Sequence, residues 1–219
     1  MTILKEVAVK PSGHSGLEAA SRLAIDVLRR DGVIAYPTET VYGLGCDFES
    51  EIGYRLILGL KGLRRRKPLI LLVPDVSWLS VLMSGTEGSP VLQDLIDTFW
   101  PGPLTVMGPA SSDVPEHLLG EGRTISMRLS SDRFVRFLLR AYRRPITSTS
   151  ANPTDRNPST GLADLRACFS DSRHPIGLAV NDGERCGLPS TIVRLKPKGI
   201  IVVREGAIPA ERIRSACRA

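Results

Sequence analysis

The stretch Lys61-Gly62-Leu63-Arg64-Arg65-Arg66-Lys67-Pro68-Leu69-Ile70-Leu71-Leu72-Val73 sets five cations within seven residues directly ahead of a five-residue aliphatic run. An exposed basic loop entering a buried strand fixes positive charge at the rim of a sheet, where α/β proteins commonly bind anionic ligands. On this stretch alone, a solvated charge run kept for solubility remains an open alternative.

Upstream, Ser15-Gly16-Leu17-Glu18 has capping-box spacing, and Leu17, Ala20, Ala24, Val27 and Leu28 recur on one helical face until Asp31-Gly32. Val33–Tyr36 reads as a buried strand ended by Pro37. Ser50 is placed to cap a second helix with Ile52, Leu56, Ile57 and Leu60 inward, which delivers Lys61 at its C-terminal end.

Downstream of the strand Leu69–Val73, a short helix is expected over Asp75–Met83. Another begins at Ser89-Pro90, with Leu92, Leu95, Ile96 and Phe99 on its apolar face. Trp100-Pro101-Gly102-Pro103 turns into a strand over Leu104–Met107; a strand over Thr124–Leu129, a helix over Asp132–Tyr142 and a strand from Pro145 to Ser148 follow. The C-terminal part reads as strand Ile176–Val180, turn Asn181-Asp182-Gly183, strand Thr191–Leu195, turn Lys196–Gly199 and strand Ile200–Arg204, with a short helix from Pro209. Helices and strands mix along the whole length without repeat or linker. One α/β domain over 1–219 with a mixed sheet is the expectation.

The 219 residues suffice for a substantial core, and 42% hydrophobic with 24% charged residues is an ordinary globular balance. No aliphatic run approaches the length of a membrane span, and the first six residues lack a signal-peptide core, so the cytoplasm is expected. Cys46, Cys168, Cys186 and Cys217 are scattered, as are His14, His117 and His174, which argues against zinc sites, a disulfide framework and Ser-His-Asp chemistry. A net charge of +6 favours anionic partners such as nucleotide, RNA or phosphate.

Strand ends carry hydroxyls, amides and cations: Pro37-Thr38-Glu39-Thr40, Ser148-Thr149-Ser150-Ala151-Asn152-Pro153 running into Asp155, Arg156, Asn157 and Ser159, Pro189-Ser190-Thr191, and Arg204-Glu205-Gly206. Each alone is compatible with turn chemistry. Together they describe a site for phosphate and a small polar molecule. Neither GxxxxGK[ST] nor a strand-following GxGxxG is present, so a P-loop or Rossmann dinucleotide site is disfavoured.

Tyr36-Pro37-Thr38-Glu39-Thr40-Val41-Tyr42-Gly43-Leu44-Gly45, Lys61…Lys67-Pro68-Leu69, Trp100-Pro101-Gly102-Pro103-Leu104-Thr105, Thr124…Arg128, Ser150-Ala151-Asn152 and Ser190-Thr191-Ile192 stand in the order and spacing of the YrdC/Sua5/YciO family. The resemblance runs from about Leu17 to about Ile208. It implies a twisted mixed sheet flanked by helices with a basic concave surface, without the further C-terminal domain of the longer Sua5-type members. It also implies threonylcarbamoyl-AMP synthase activity, which joins L-threonine, bicarbonate or CO2, and ATP into threonylcarbamoyl adenylate and pyrophosphate. That product serves N6-threonylcarbamoyladenosine formation at tRNA position 37 through t6A-transfer enzymes.

Carried over by motif, the threonine contacts fall on Thr40, Arg128, Ser148 and Ser190. The ATP contacts fall on Lys61, Lys67, Thr124, Ser150, Asn152, Ser159 and Arg204, with Arg64 as a further candidate. Charge neutralisation rests on Lys61 and Arg128, and Mg2+ is expected only through the ATP phosphates. Four positions depart from the synthase pattern: Leu63 stands for an Arg, Leu72 for a His, Pro189 for a Glu and Glu205 for a Pro. These departures resemble the YciO branch and keep open a tRNA- or double-stranded-RNA- or ribosome-associated protein with weak or no synthase activity. A carbamoyl-phosphate or carbamoyl-AMP hydrolysing module, as in hydrogenase maturation proteins, is a third alternative.

Overall fold

Alternation of side chains along short strands organises the computed structural model, which describes residues 6–8, 13–197 and 199–217. The strands are β1 (Glu6–Ala8), β2 (Ile34–Tyr36), β3 (Gly43–Gly45), β4 (Ile70–Leu72), β5 (Leu104–Pro109), β6 (Thr124–Arg128), β7 (Ile146–Ser150), β8 (Leu178–Asn181), β9 (Thr191–Leu195) and β10 (Ile200–Arg204). The helices are α1 (His14–Leu28), α2 (Glu51–Leu60), α3 (Trp78–Leu82), α4 (Pro90–Phe99), α5 (Arg133–Tyr142), α6 (Leu162–Phe169) and α7 (Ala210–Ala216). The strands form one sheet in the order β1-β8-β2-β3-β7-β4-β6-β5-β9-β10. Pairs β1–β8, β2–β8, β4–β6 and β5–β9 are parallel and the others antiparallel, so the sheet is mixed as expected.

Because successive residues point to opposite faces, each strand divides its side chains between two cores. On one face Ala35, Leu44, Leu71, Val106, Met127 and Val193 pack with α2, α3, α4, α6 and α7. On the other, Ile34, Tyr36, Leu72, Ile146, Leu178 and Val180 pack beneath α1 and α5. Fully burying each Val, Leu, Ile or Met among them stabilises the fold by roughly 1.5–3 kcal/mol.

Helix starts follow the local chemistry. The Ser50 hydroxyl accepts from the Gly53 N–H at 2.9 Å, and that of Ser89 accepts from the Leu92 N–H at 3.3 Å ahead of Pro90. Asp132 accepts from the N–H groups of Phe134 and Val135 at 2.9 and 3.1 Å. Each cap contributes about 1 kcal/mol.

Several expectations are corrected. Helix α1 begins at His14 behind Gly13, with no side-chain cap, so Ser15 lies inside its first turn and the capping box does not form. Ile52 is 61% exposed, and Tyr54 takes the inward position on α2. Helix α3 covers only Trp78–Leu82 of the range Asp75–Met83. In the C-terminal part only β9 and β10 form a hairpin, because β8 lies near the opposite end of the sheet beside β1 and β2. Strands β1 and β3 and helix α6 were not expected.

Candidate functional site

The face covered by α1 and α5 continues beyond them, and there it is bare. Met107 on β5, Ser126 on β6, Ile70 on β4 and Ser148 on β7 are register neighbours across four strands on that face. Arg128 and Ser150 project from the same face two residues further along β6 and β7. Loops 37–42, 150–158 and 189–190 rise around this floor and enclose a hollow of about 400 Å³. Gly43 keeps one wall open: a Cβ there would stand 3.3 Å from the Tyr36 ring and 3.4 Å from the Ser148 hydroxyl.

The chain from Asp182 to Ser190 fixes the rim. Arg185 donates from Nε to the Thr38 carbonyl at 3.0 Å and pairs with Asp132 and Asp182, while its N–H reaches the Thr160 carbonyl at 2.7 Å. Gly187 donates to the Thr40 carbonyl at 3.1 Å, and any Cβ at Gly187 would fall 2.6 Å from that oxygen. This segment carries the chain from one end of the sheet to the other, and its last residues line the hollow.

Cations stand at two places within the hollow. Lys61, buried at the C-terminal end of α2, donates from Nζ to the carbonyls of Ser150 and Asn152 at 2.9 and 2.8 Å, with the Asn152 side-chain oxygen at 3.4 Å. Burial, assisted by the charge of Lys67, lowers its pKa to about 8. Exposed Lys67 lines the same end.

The second place holds Arg128 and Arg204. Arg128 has only 5% of its side chain exposed, yet its Nε finds no hydrogen-bond partner. Glu39 Oε1 lies 3.7 Å from that nitrogen, beyond hydrogen-bond length. Arg204 donates to the Ser190 carbonyl at 3.2 and 2.8 Å and approaches the Ser190 hydroxyl at 3.3 Å. Burial, then the charge of Arg128, lowers the Arg204 pKa. The Ser190 hydroxyl also meets Thr105 at 2.9 Å. Thr38 donates to the Val41 carbonyl at 2.6 Å and accepts from the Thr40 N–H at 3.1 Å, which leaves the Thr40 hydroxyl to donate to Thr38 at 2.8 Å.

Nine of the twelve residues expected at the site line this hollow: Thr40, Lys61, Lys67, Arg128, Ser148, Ser150, Asn152, Ser190 and Arg204. Three do not. Arg64 is an exposed loop residue, and Thr124 bonds the Glu121 carbonyl on the β6 face two residues outside Ser126. Ser159 is buried, and its hydroxyl is taken by the Ala151 carbonyl. Leu72, although in register with Arg128, is wholly buried in the core under α5 and does not line the hollow; neither does Leu63. Sequence reasoning missed Ser126, which strand alternation from Arg128 would have found, and the approach of Glu39 to Arg128.

A larger depression of about 540 Å³ lies between α3 and α4, but the only charged residues lining it are Glu87 and Asp97. Among the described residues it offers an anion no cation.

A single-domain α/β fold with a cation- and hydroxyl-lined hollow is the class these features define. The chain belongs to the Sua5/YciO/YrdC family, whose profile, described as telomere recombination, matches residues 26–206. The threonylcarbamoyl-AMP synthase of Klebsiella pneumoniae is 37% identical over 149 residues, spanning 68% of this chain and 78% of that relative. The structure of P. abyssi Sua5 complexed with L-threonine superposes with a TM-score of 0.85 at 28% identity and covers 99% of this chain, which spans only 61% of the Sua5 chain. E. coli YciO superposes with a TM-score of 0.81 over 97% of this chain and all of its own; at 24% identity that likeness concerns the fold alone. Among the described residues no helix is long and apolar enough to cross a membrane.

Proposed function

We propose that this protein is a threonylcarbamoyl-AMP synthase, a nucleotidyltransferase acting on L-threonine, bicarbonate or CO2, and ATP. The observation that carries the reading is Arg128: a side chain 5% exposed at the wall of a hollow, whose buried Nε has no hydrogen-bond partner among the described residues and only the Glu39 carboxylate, 3.7 Å away, beside it. A buried guanidinium short of hydrogen bonds is unfavourable, even beside a carboxylate, unless a ligand completes its donors. A planar fork of donors suits an amino-acid carboxylate. The relatives named as synthases and the threonine complex of a structural relative support the same reading.

In this reading Arg128, with Thr40, Ser148 and Ser190, holds the amino acid, and Arg204 adds charge beside it. Lys61, Lys67, Ser150 and Asn152 face the nucleotide. Once the amine has combined with CO2, a carbamate oxygen attacks the α-phosphorus, the bond to the β-phosphate oxygen breaks, and pyrophosphate leaves with that electron pair. The protein's part is positioning and charge neutralisation, so the absence of a histidine among the lining residues is no obstacle. Mg2+ would arrive on the ATP phosphates and supply charge neutralisation there, and Asp155, the only carboxylate among the described lining residues, would be the side chain available to it. The product would serve tRNA modification by t6A-transfer enzymes.

Calorimetry with ATP and L-threonine, singly and together, followed by a pyrophosphate-release assay, tests this. Release that requires ATP, L-threonine and bicarbonate together is expected; release without the amino acid, or none at all, rejects it. The exposed run Arg64–Lys67 beside the hollow supports a second reading, an RNA-associated protein. RNA binding with a steep salt slope and no nucleotide affinity would favour it.

A further inference from the structure

We propose that Glu39 positions Arg128 and sets the charge of this part of the hollow, so that it admits amino acids with one carboxylate and disfavours those with two. The inference rests on the reading above that Arg128 receives the amino acid's carboxylate.

Glu39 is held on both sides. Its Oε2 accepts from the Ser130 hydroxyl at 2.5 Å, and Ser130 in turn accepts from the Asp132 N–H at 3.2 Å. Its Oε1 faces Arg128 Nε at 3.7 Å, and neither atom has a hydrogen-bond partner. The Glu39 side chain is only 14% exposed, so water does not screen the pair as it would at a surface. The loop beneath it is braced by Thr38 bonding Val41 and Thr40. A carboxylate at the Nε side of a guanidinium leaves the outer nitrogen pair for a second, bidentate carboxylate.

The charges then count simply. Arg128 and Arg204 bring two positive charges and Glu39 one negative, which leaves one. Asp132 is committed to the cap of α5 and to Arg185, and the lining carboxylate Asp155 follows Thr154, whose N–H donates to the Lys61 carbonyl at 2.9 Å, so it belongs to the Lys61 end of the hollow. One residual positive charge matches one carboxylate. Glu39 stands behind Arg128 and is not itself a lining residue, so it acts on a bound ligand through its charge: a second carboxylate would feel it without a further cation to answer it, and like charges set near each other favour specificity.

The test is calorimetric titration of the full chain with L-threonine and with L-aspartate, in the presence of ATP. Glu39→Gln keeps the shape and removes the charge. The threonine-to-aspartate affinity ratio should fall by at least about 10-fold, because the repulsive element is gone. Ser130→Ala keeps the charge and loosens the tether, so it should raise the threonine KM several-fold, roughly, with kcat and the ratio held. Should Glu39→Gln fail to fold, Arg204→Gln tests the same charge count from the other side, and the ratio should rise by about 10-fold. A ratio unchanged in these charge variants, with threonine still bound, overturns this inference alone. Wild-type protein that binds neither amino acid overturns the proposed function and this inference with it.

Discussion

Lys61 and Asn152 are locked together: the lysine Nζ lies 2.8 Å from the asparagine carbonyl and 3.4 Å from its side-chain oxygen, with the Ser150 carbonyl completing the set at 2.9 Å. All three acceptors are neutral, so they fix the position of the ammonium without cancelling its charge. A phosphate arriving there meets a cation already aimed. The lock therefore works as pre-organisation, and its loss should be felt by one substrate more than the other.

Lys61→Ala should weaken ATP binding by about 10- to 100-fold, the range for lost hydrogen bonds to a charged group, and leave L-threonine within about threefold. Arg128→Ala should do the reverse. Calorimetry on both variants with both ligands checks this; small, equal effects would reject the assignment of the two ends.

The lowered pKa of Lys61 gives a pH signature. At pH 7 its amine is mostly protonated, and raising the pH through about 8 removes the charge a phosphate needs. ATP affinity should thus fall between pH 7 and pH 9, whereas Lys61→Met should bind weakly and without that drop. Stability runs in the opposite direction. The folded protein holds this proton less tightly than the unfolded chain, so the unfavourable buried charge is present below pH 8 and relieved as the pH rises from about 8 towards 10.5. Titrations at three pH values suffice; a flat wild-type profile would mean that Lys61 does not face the phosphates.

Gly45→Ala should destabilise the protein by roughly 1–3 kcal/mol or more, the range for overpacking. A Cβ there would fall 2.3 Å from the Thr147 carbonyl and 3.0 Å from the Tyr36 ring, and backbone cannot step aside as a flexible side chain does. Urea unfolding with an unchanged m-value is the measurement.

Ser159→Ala separates the motif from the geometry. Its hydroxyl is engaged by the Ala151 carbonyl, so the variant should lose about 1 kcal/mol of stability while ATP affinity stays within about threefold. A large, selective loss of ATP binding would restore Ser159 to the nucleotide site.

Much of the architecture was legible because periodicity and caps agreed. For α4, Ser89, Pro90 and the face Leu92, Leu95, Ile96 and Phe99 are all as read. What escaped had no local signal. Strand β3 is Gly43-Leu44-Gly45, a composition that argues against a strand; it forms because Tyr36 and β7 need the room two absent side chains provide. Helix α6 starts at Leu162 behind Gly161, without a side-chain cap. Ile52 was read as inward because it is apolar, but the angular position on α2 belongs to Tyr54, whose hydroxyl ties down the Lys67 backbone. At the site, motif spacing named nine residues that line the hollow, and Arg64, Thr124 and Ser159, which do not. The approach of Glu39 to Arg128 joins distant segments, and only the strand register brings them together.

The path of the chain from Asp182 to Ser190 has a consequence for how the hollow comes into being. Its walls draw on β4, β6, β7 and the entry to β9, and the connecting strap must traverse the molecule before Ser190 can meet Arg204. A ribosome would have to release the chain past Arg204 before substrate could be gripped. Truncations ending ahead of Thr191 should accordingly bind nothing, however well their remaining helices form.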